Sequence, residues 1–174
     1  MPTPVINTTA GETVAREAMI LYLNTGTTST PTWSAIGKRV TDSAIEQDWS
    51  TENEQDILGN TFITAKKPVL TQSFDSYFVD SEDLALTKIY DLGVIQQNAQ
   101  ALCNLDLLVV HFYSGATATP FAERYPQSSI VPTSLGGEGG GNLAMALDCT
   151  FGGTRVVGTA SRGTGGVISF TPAA

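Results

Sequence analysis

Basic residues are scarce in this chain. Nine Lys and Arg stand against seventeen Asp and Glu, leaving a formal charge of −8. Proteins that grip nucleic acid by its phosphates do so with Lys and Arg, so that class is excluded. An acidic surface repels phosphate and prevents sticking, which leaves room for nucleic acid that only passes close by. Histidine is scarcer still: His111 alone, inside the most apolar segment, where a satisfied structural role is expected over a general base. The two cysteines, Cys103 and Cys149, are far apart and in no metal spacing, so two buried, reduced thiols are expected. The longest apolar run, residues 105–113, contains Asp106 and His111 and is too short to span a bilayer. The opening Met-Pro-Thr-Pro-Val has neither the charged nor the apolar region of a signal peptide, so synthesis and folding in the cytoplasm is expected.

Motifs of catalysis are missing too. No Ser sits in Gly-x-Ser-x-Gly. The run Gly136-Gly137-Glu138-Gly139-Gly140-Gly141 lacks the Lys-Ser/Thr of a phosphate loop and the spacing of a dinucleotide fingerprint, and Gly37-Lys38 lacks its flanking residues. A pair of carboxylates about 5 to 10 Å apart would suit a glycosidase, and the acids are numerous enough to supply one. A solvated face is the simpler reading of Glu52, Glu54 and Asp56. Asp80, Glu82 and Asp83 could suggest calcium, but helix capping accounts for them without the repeating Asp/Asn loop. No enzyme activity, cofactor or metal is expected.

What the chain does have is β character: seventeen Gly, eight Pro and many Thr and Ser in 174 residues, enough for one domain with a real core. Residues 1–12 read as a loosely held polar arm and the apolar run in 13–23 as a strand. The organising stretch is Trp33 to Phe78. Trp33, Ile36 and Val40 lead into a strand in which Ile45 and Trp49 share one parity while Glu46 and Asp48 take the other. A long acidic inter-strand loop, 50–60, follows. The chain returns past Pro68 into a strand with Leu70, Phe74 and Phe78 inward and Thr71, Ser73 and Asp75 outward. Six acids and no base lie between Asp42 and Asp56.

Beyond it, 81–93 reads as a flanking helix, capped by Asp80 or Ser81 and ended by Gly93, with 96–100 connecting. Residues 104–113, apolar on both parities, read as a strand buried on both faces. An irregular stretch anchored by Phe121, Tyr125, Ile130 and Val131 comes next, then the Gly-rich hairpin tip. In the cleanest alternation of the sequence, Leu143, Met145, Leu147, Cys149 and Phe151 oppose Asn142, Ala144, Ala146, Asp148 and Thr150. Two short strands, 154–159 and 167–171, close the chain. A mainly β fold follows: a β-sandwich or barrel with one flanking helix.

Taken together, the order of these weak motifs resembles the major tail (tail tube) proteins of long-tailed bacteriophages of the siphophage type, a fold shared with contractile injection systems. The residues carrying the likeness are Trp33-x-x-Ile36-Gly37-Lys38, the acidic stretch to Asp56-Ile57-Leu58, and the return strand through Pro68 to Phe74. Asp80-x-x-Asp83, the apolar 105–113 strand and the closing Gly166-Val167-Ile168-Ser169-Phe170 complete it. Where many such families carry Asn-Pro, this chain has Asp48-Trp49-Ser50-Thr51.

The resemblance implies a structural virion protein whose hexameric rings join their inner sheets into one barrel and stack into a tail tube for genome ejection. It implies the chain itself as partner, along with tape-measure and tail-terminator or initiator proteins. DNA would be met only in passage through the lumen, no membrane would be entered, and assembly would occur in the host cytoplasm. On that reading Glu46, Asp48, Thr71, Ser73, Asp75 and Asp148 face the lumen, by their parity, and Glu52, Asn53, Glu54, Gln55 and Asp56 contact a neighbouring ring or subunit. The competing readings are a tail-terminator or connector protein and a β-sandwich module binding a receptor or carbohydrate. That module would need an aromatic platform, whereas both Trp are expected at core-like parity in the organising hairpin.

Overall fold

Two antiparallel sheets share one long strand. The computed structural model describes residues 5–173. The first sheet runs β2 (Trp33–Ala35), β1 (Met19–Asn24), β7 (Leu105–Ala116), then the front half of β8 (Thr119–Gly136), and continues through β10 (Val156–Arg162) to β11 (Ile168–Pro172). The second uses the rear half of β8, then β9 (Ala144–Thr150), β6 (Val69–Phe78) and β3 (Ile45–Asp48). A separate two-stranded ribbon pairs β4 (Glu52–Gln55) with β5 (Thr61–Thr64). The architecture is mainly β with a flanking helix, as the sequence implies.

β7 shows how the pattern produces the layers. Leu107 and Val109 face the core between the sheets, where they join Leu21 and Leu23 of the first sheet and Phe74, Met145, Leu147 and Cys149 of the second. Leu108 and Val110 point the other way, into a smaller core with Tyr22, Trp33, Ala122, Ala160 and Ile168. The first sheet therefore curls on itself, bringing its two ends around that second cluster. A strand buried on both faces needs apolar residues at both parities, and this one has them.

The helix α1 (Leu84–Tyr90) closes the main core with Ala85, Leu86 and Ile89, all buried. Its cap is Asp83, whose carboxylate accepts from Leu86 N at 3.0 Å. Asp80, expected as the cap, lies one turn earlier, where its carboxylate accepts from Glu82 N at 3.0 Å and binds Lys38 at 2.6 Å. Nor does Gly93 end the helix. The chain continues through a π turn, Asp91–Ile95, in which Gly93 passes so close to Pro132 that a Cβ would stand 2.6 Å from Cγ. Glycine is there for contact with β8, not to stop the helix. Within the stretch read as connecting, Ala99–Leu102 forms a further short helix, α2, capped by Asn98.

Other expectations need correction. The stretch read as irregular is the 18-residue β8. Three prolines, Pro120, Pro126 and Pro132, disguise it, since proline argues against a central strand. Pro126 lies near the passage from one sheet to the other, and Pro132 at the register shift against β9, positions where no regular ladder bond is lost. Trp33 pairs with β1 and takes no part in the hairpin. The loop 50–60 is partly strand: β4 lies inside it. Trp49 is half exposed rather than in the core. A bulge between Phe74 and Tyr77 swings Tyr77 inward to complete burial in place of Phe78. Cys103 is exposed, Cys149 buried; both are free thiols. Leu143 is half exposed, ahead of the strand it was assigned to. Of the expected N-terminal arm, residues 1–4 lie outside the described residues, while Asn7 is tied to β7 through Phe112 O and Gly115 O at 3.0 and 3.2 Å.

Candidate assembly face

The second sheet has one face against the core and one in solvent. Cross-strand register builds the open face in rows. Glu46 stands opposite Thr71, Thr71 opposite Thr150, and Thr150 opposite Ser129. In the next row Ser73 faces Asp148 and Asp148 faces Val131. Ser73 Oγ donates to Asp148 Oδ1 at 2.8 Å, locking that row across β6 and β9. Asp48 and Asp75 are exposed further along the same strands. The structure thus brings together on one surface the residues singled out by parity: Glu46, Asp48, Thr71, Ser73, Asp75 and Asp148.

This face carries charge of one sign. Residues 45–48, 69–78, 129–136 and 144–150 contain four acids and no Lys, Arg or His. With no cation to pair, the acids and hydroxyls give a wetted surface of one sign, which repels polyanions and offers them no hold.

Among the described residues, one edge of the sheet is open. Phe151 N donates to Leu70 O at 3.0 Å, so Leu70 turns its backbone groups toward β9. By alternation Val69 and Thr71 turn theirs toward β3, and Ile45 and Gln47 are left facing outward from the sheet. Just upstream, Ser43 O is taken by the Arg16 guanidinium at 2.8 Å and Ser43 Oγ donates to Ser73 O at 2.7 Å, which aligns β3 without covering its edge. Unpaired edges of this kind are templates for a strand from another chain.

The β4–β5 ribbon prolongs the β3–β6 hairpin past Asp48 and Val69, carrying Glu52, Asn53, Glu54, Gln55 and Asp56. Every residue of both strands is exposed. Glu52 is held by Lys66 at 2.9 Å. The Asp56 carboxylate ties the tip together, accepting from Asn60 N at 2.8 Å, Asn60 Nδ2 at 2.8 Å and Leu58 N at 2.9 Å. Those bonds, Asn60's first, hold its carboxyl below the ordinary range. The apolar residues Ile57, Leu58, Phe62 and Ile63 are displayed to solvent, and nothing in the acidic pattern of the sequence signals them as a group.

The other polar centre of the molecule surrounds His111. Its Nε2 lies 2.8 Å from Glu123 Oε1 and its Nδ1 2.9 Å from Tyr113 Oη. Tyr125 Oη donates to Glu123 Oε2 at 2.7 Å, and Arg155 Nε bonds the same oxygen. Burial would raise the Glu123 carboxyl, but hydrogen bonds from His111, Arg155 and Tyr125 outweigh it and hold it at about 2. This network joins β7, β8 and the turn before β10, and neither partner of His111 is an activated nucleophile. Its role is structural. Glu123, missed in the sequence because it falls in the stretch read as irregular, is its centre.

No family model and no characterised protein matches the sequence. Solved structures do. The anti-feeding prophage cap, a tube-terminating cap, aligns with a TM-score of 0.51 at 14% identity over 92% of this chain and 100% of that one. The sheath/tube terminator of the PVC extracellular contractile injection system, in the extended state, aligns with a TM-score of 0.51 at 11% identity over 86% of this chain and 99% of that one. The fold is tail-tube-like. The PVC sheath-tube complex in its extended state also matches, with a TM-score of 0.48 at 11% identity over 86% of this chain and 94% of that one.

Proposed function

We propose that this chain is a structural subunit of a phage or phage-like tail, which assembles with copies of itself into rings that stack as a tube. The observation that carries the reading is the second sheet: an open edge at β3 beside a solvent face with four acids and no base. Adding sheets edge to edge around a ring would pair the exposed backbone of Ile45 and Gln47 and remove the edge. It would also turn Glu46, Asp48, Thr71, Ser73, Asp75 and Asp148 into a continuous acidic and hydroxylated lumen. DNA passing through such a channel meets no cation to bind. Residues 52–56, on the ribbon that prolongs the β3–β6 hairpin, would reach a neighbouring ring or subunit, and tape-measure and terminator or initiator proteins would complete the tail. The function is one of assembly, not of catalysis.

A second reading has its own support. Two of the matched structures are a tube-terminating cap and a sheath/tube terminator, and the same open edge and acidic face would serve a single ring that ends a tube rather than builds it.

Electron microscopy of concentrated protein near neutral pH tests both. Stacked rings with a central channel are expected of the tube subunit, and isolated rings of the terminator. A reconstruction with the six residues on the outer wall would refute the lumen assignment. Persistent monomers at the solubility limit would refute self-assembly.

A further inference from the structure

We propose that the ribbon tip of one copy, Ile57 and Leu58, seats in an aromatic groove at the base of the ribbon of the next copy. This rests on the self-assembly reading above and names the contact that propagates it. Ile57 is fully exposed at 102% and Leu58 at 82%, on a two-stranded ribbon with no residue buried against the body. Such ribbons are marginal in water without a partner surface. The tip is nonetheless ordered in advance by the three hydrogen bonds to Asp56, so little freedom remains to be lost on docking.

The same chain offers a matching receptor. A groove of about 530 Å³ opens between β3, the start of β6 and the turn before β10. Trp49 and Pro68 form one wall, and Tyr125 of β8 and Phe151 just after β9, packed edge to face at 5.1 Å, line the other. Its volume suits a short apolar segment. Lys67, Arg155 and Glu123 line it as well; Arg155 and Glu123 pair with each other, while Lys67 has no ion-pair partner among the described residues. The ribbon brings the opposite sign: Glu52, Glu54 and Asp56, with no base from residue 50 to 65. Apolar tip meets aromatic groove, and acidic stem meets Lys67 beside it.

A chain does not fill its own groove. Trp49 and Lys67 flank the root of the ribbon, whereas Ile57 and Leu58 sit at its far end, roughly 25 Å away at about 3.3 Å per residue. Tip and groove are therefore different patches, and a contact between them is head-to-tail. Repetition of such a contact closes a ring or extends a filament.

The test uses two full-length proteins, each with Cys103→Ser to remove the exposed thiol: one carries Leu58→Cys and the other Thr154→Cys on the groove wall. Mixed under assembly conditions with a short bismaleimide, they are expected to give a heterodimeric cross-link at least tenfold above either protein alone. Unsubstituted protein is expected to show a blue shift of Trp49 emission on assembly, and Leu58→Asp, at an exposed position that leaves thermal unfolding unchanged, to abolish it. Rings or tubes under the microscope without the cross-link and without the blue shift would overturn the groove contact while leaving the tube reading intact. No assembly and no cross-link at the solubility limit would overturn both.

Discussion

Tyr77 is the residue on which the second sheet and the helix converge, and removing its hydroxyl has a calculable effect. The bulge in β6 turns it inward to complete burial, and its Oη donates to Asp83 Oδ2 at 2.5 Å. Burial first, and the neighbouring carboxylate second, push the phenol well above its ordinary range, so it remains a donor at every accessible pH. The other Asp83 oxygen caps α1 through Leu86 N. Tyr77→Phe removes a buried hydrogen bond to a charged acceptor, at about 2 kcal/mol. Asp83→Ala removes the cap, about 1 kcal/mol, and orphans the buried hydroxyl, about 2 kcal/mol more. In the double variant no hydroxyl is left to orphan, so the loss is about 3 kcal/mol rather than the additive 5, a coupling of about 2 kcal/mol. Urea unfolding of all four proteins, followed by tryptophan fluorescence, measures it. Additive losses, with a coupling under about 0.5 kcal/mol, would refute the argument that one carboxylate links helix and sheet.

Three further outcomes follow from the geometry. Glu123 is held at about 2 against an ordinary 4.5, so the native state releases a proton the unfolded chain retains. Its contribution is fully present above pH 4.5 and lost as pH falls toward 2, worth about 3 kcal/mol at most, and Glu123→Gln flattens the acid limb of stability against pH in urea titrations. Gly158→Ala would place a Cβ 2.2 Å from Thr171 O and 2.8 Å from the Phe170 ring, so the β10–β11 pairing must give way; a loss of about 2 kcal/mol is expected and an unchanged unfolding midpoint would contradict it. In the native protein one thiol, Cys103, reacts with a chromogenic disulfide, while Cys149, buried and with its thiol pushed up by that burial, reacts only after denaturation.

Local periodicity carried much of this fold. Ile45–Asp48 and the start of β6 pair as a long hairpin, β7 is buried on both faces, and β9 alternates from Met145 to Phe151 as its residues prescribe. What escaped was decided over longer range. β8 was hidden by prolines that only a strand shared between two sheets can place harmlessly. Phe78 yielded to Tyr77 because a bulge shifts the register after Phe74, and it is Tyr77 whose hydroxyl reaches Asp83, six residues on. The acids before α1 all offered caps, and which of them serves depends on Lys38, forty-two residues before Asp80. For the candidate site, parity alone assembles the acidic face, since alternation is a property of the strand itself. The apolar ribbon was not legible, because the acids of 50–60 dominate the local pattern and nothing local shows that Ile57, Leu58, Phe62 and Ile63 stand clear of the core.

The concentration dependence of assembly follows from how these surfaces are distributed. The open edge of β3, the acidic face and the apolar ribbon all lie between residues 43 and 76 together with β9, while the other sheet closes over its own small core. Burying Ile57 and Leu58 is worth about 1.5 to 3 kcal/mol each, or roughly 3 to 6 kcal/mol for one ribbon contact. Two free molecules lose about 4 to 15 kcal/mol of translational and rotational freedom on joining. A single contact is therefore at or below break-even, and dimers stay sparse. In a closed ring the last subunit makes two contacts for one loss of freedom, and each stacked ring adds more, so the completed assembly is favoured where the dimer is not. Light scattering against concentration is thus expected to stay flat and then rise abruptly at a threshold, which Leu58→Asp moves upward by at least tenfold. A gradual monomer–dimer curve with no threshold would contradict head-to-tail closure.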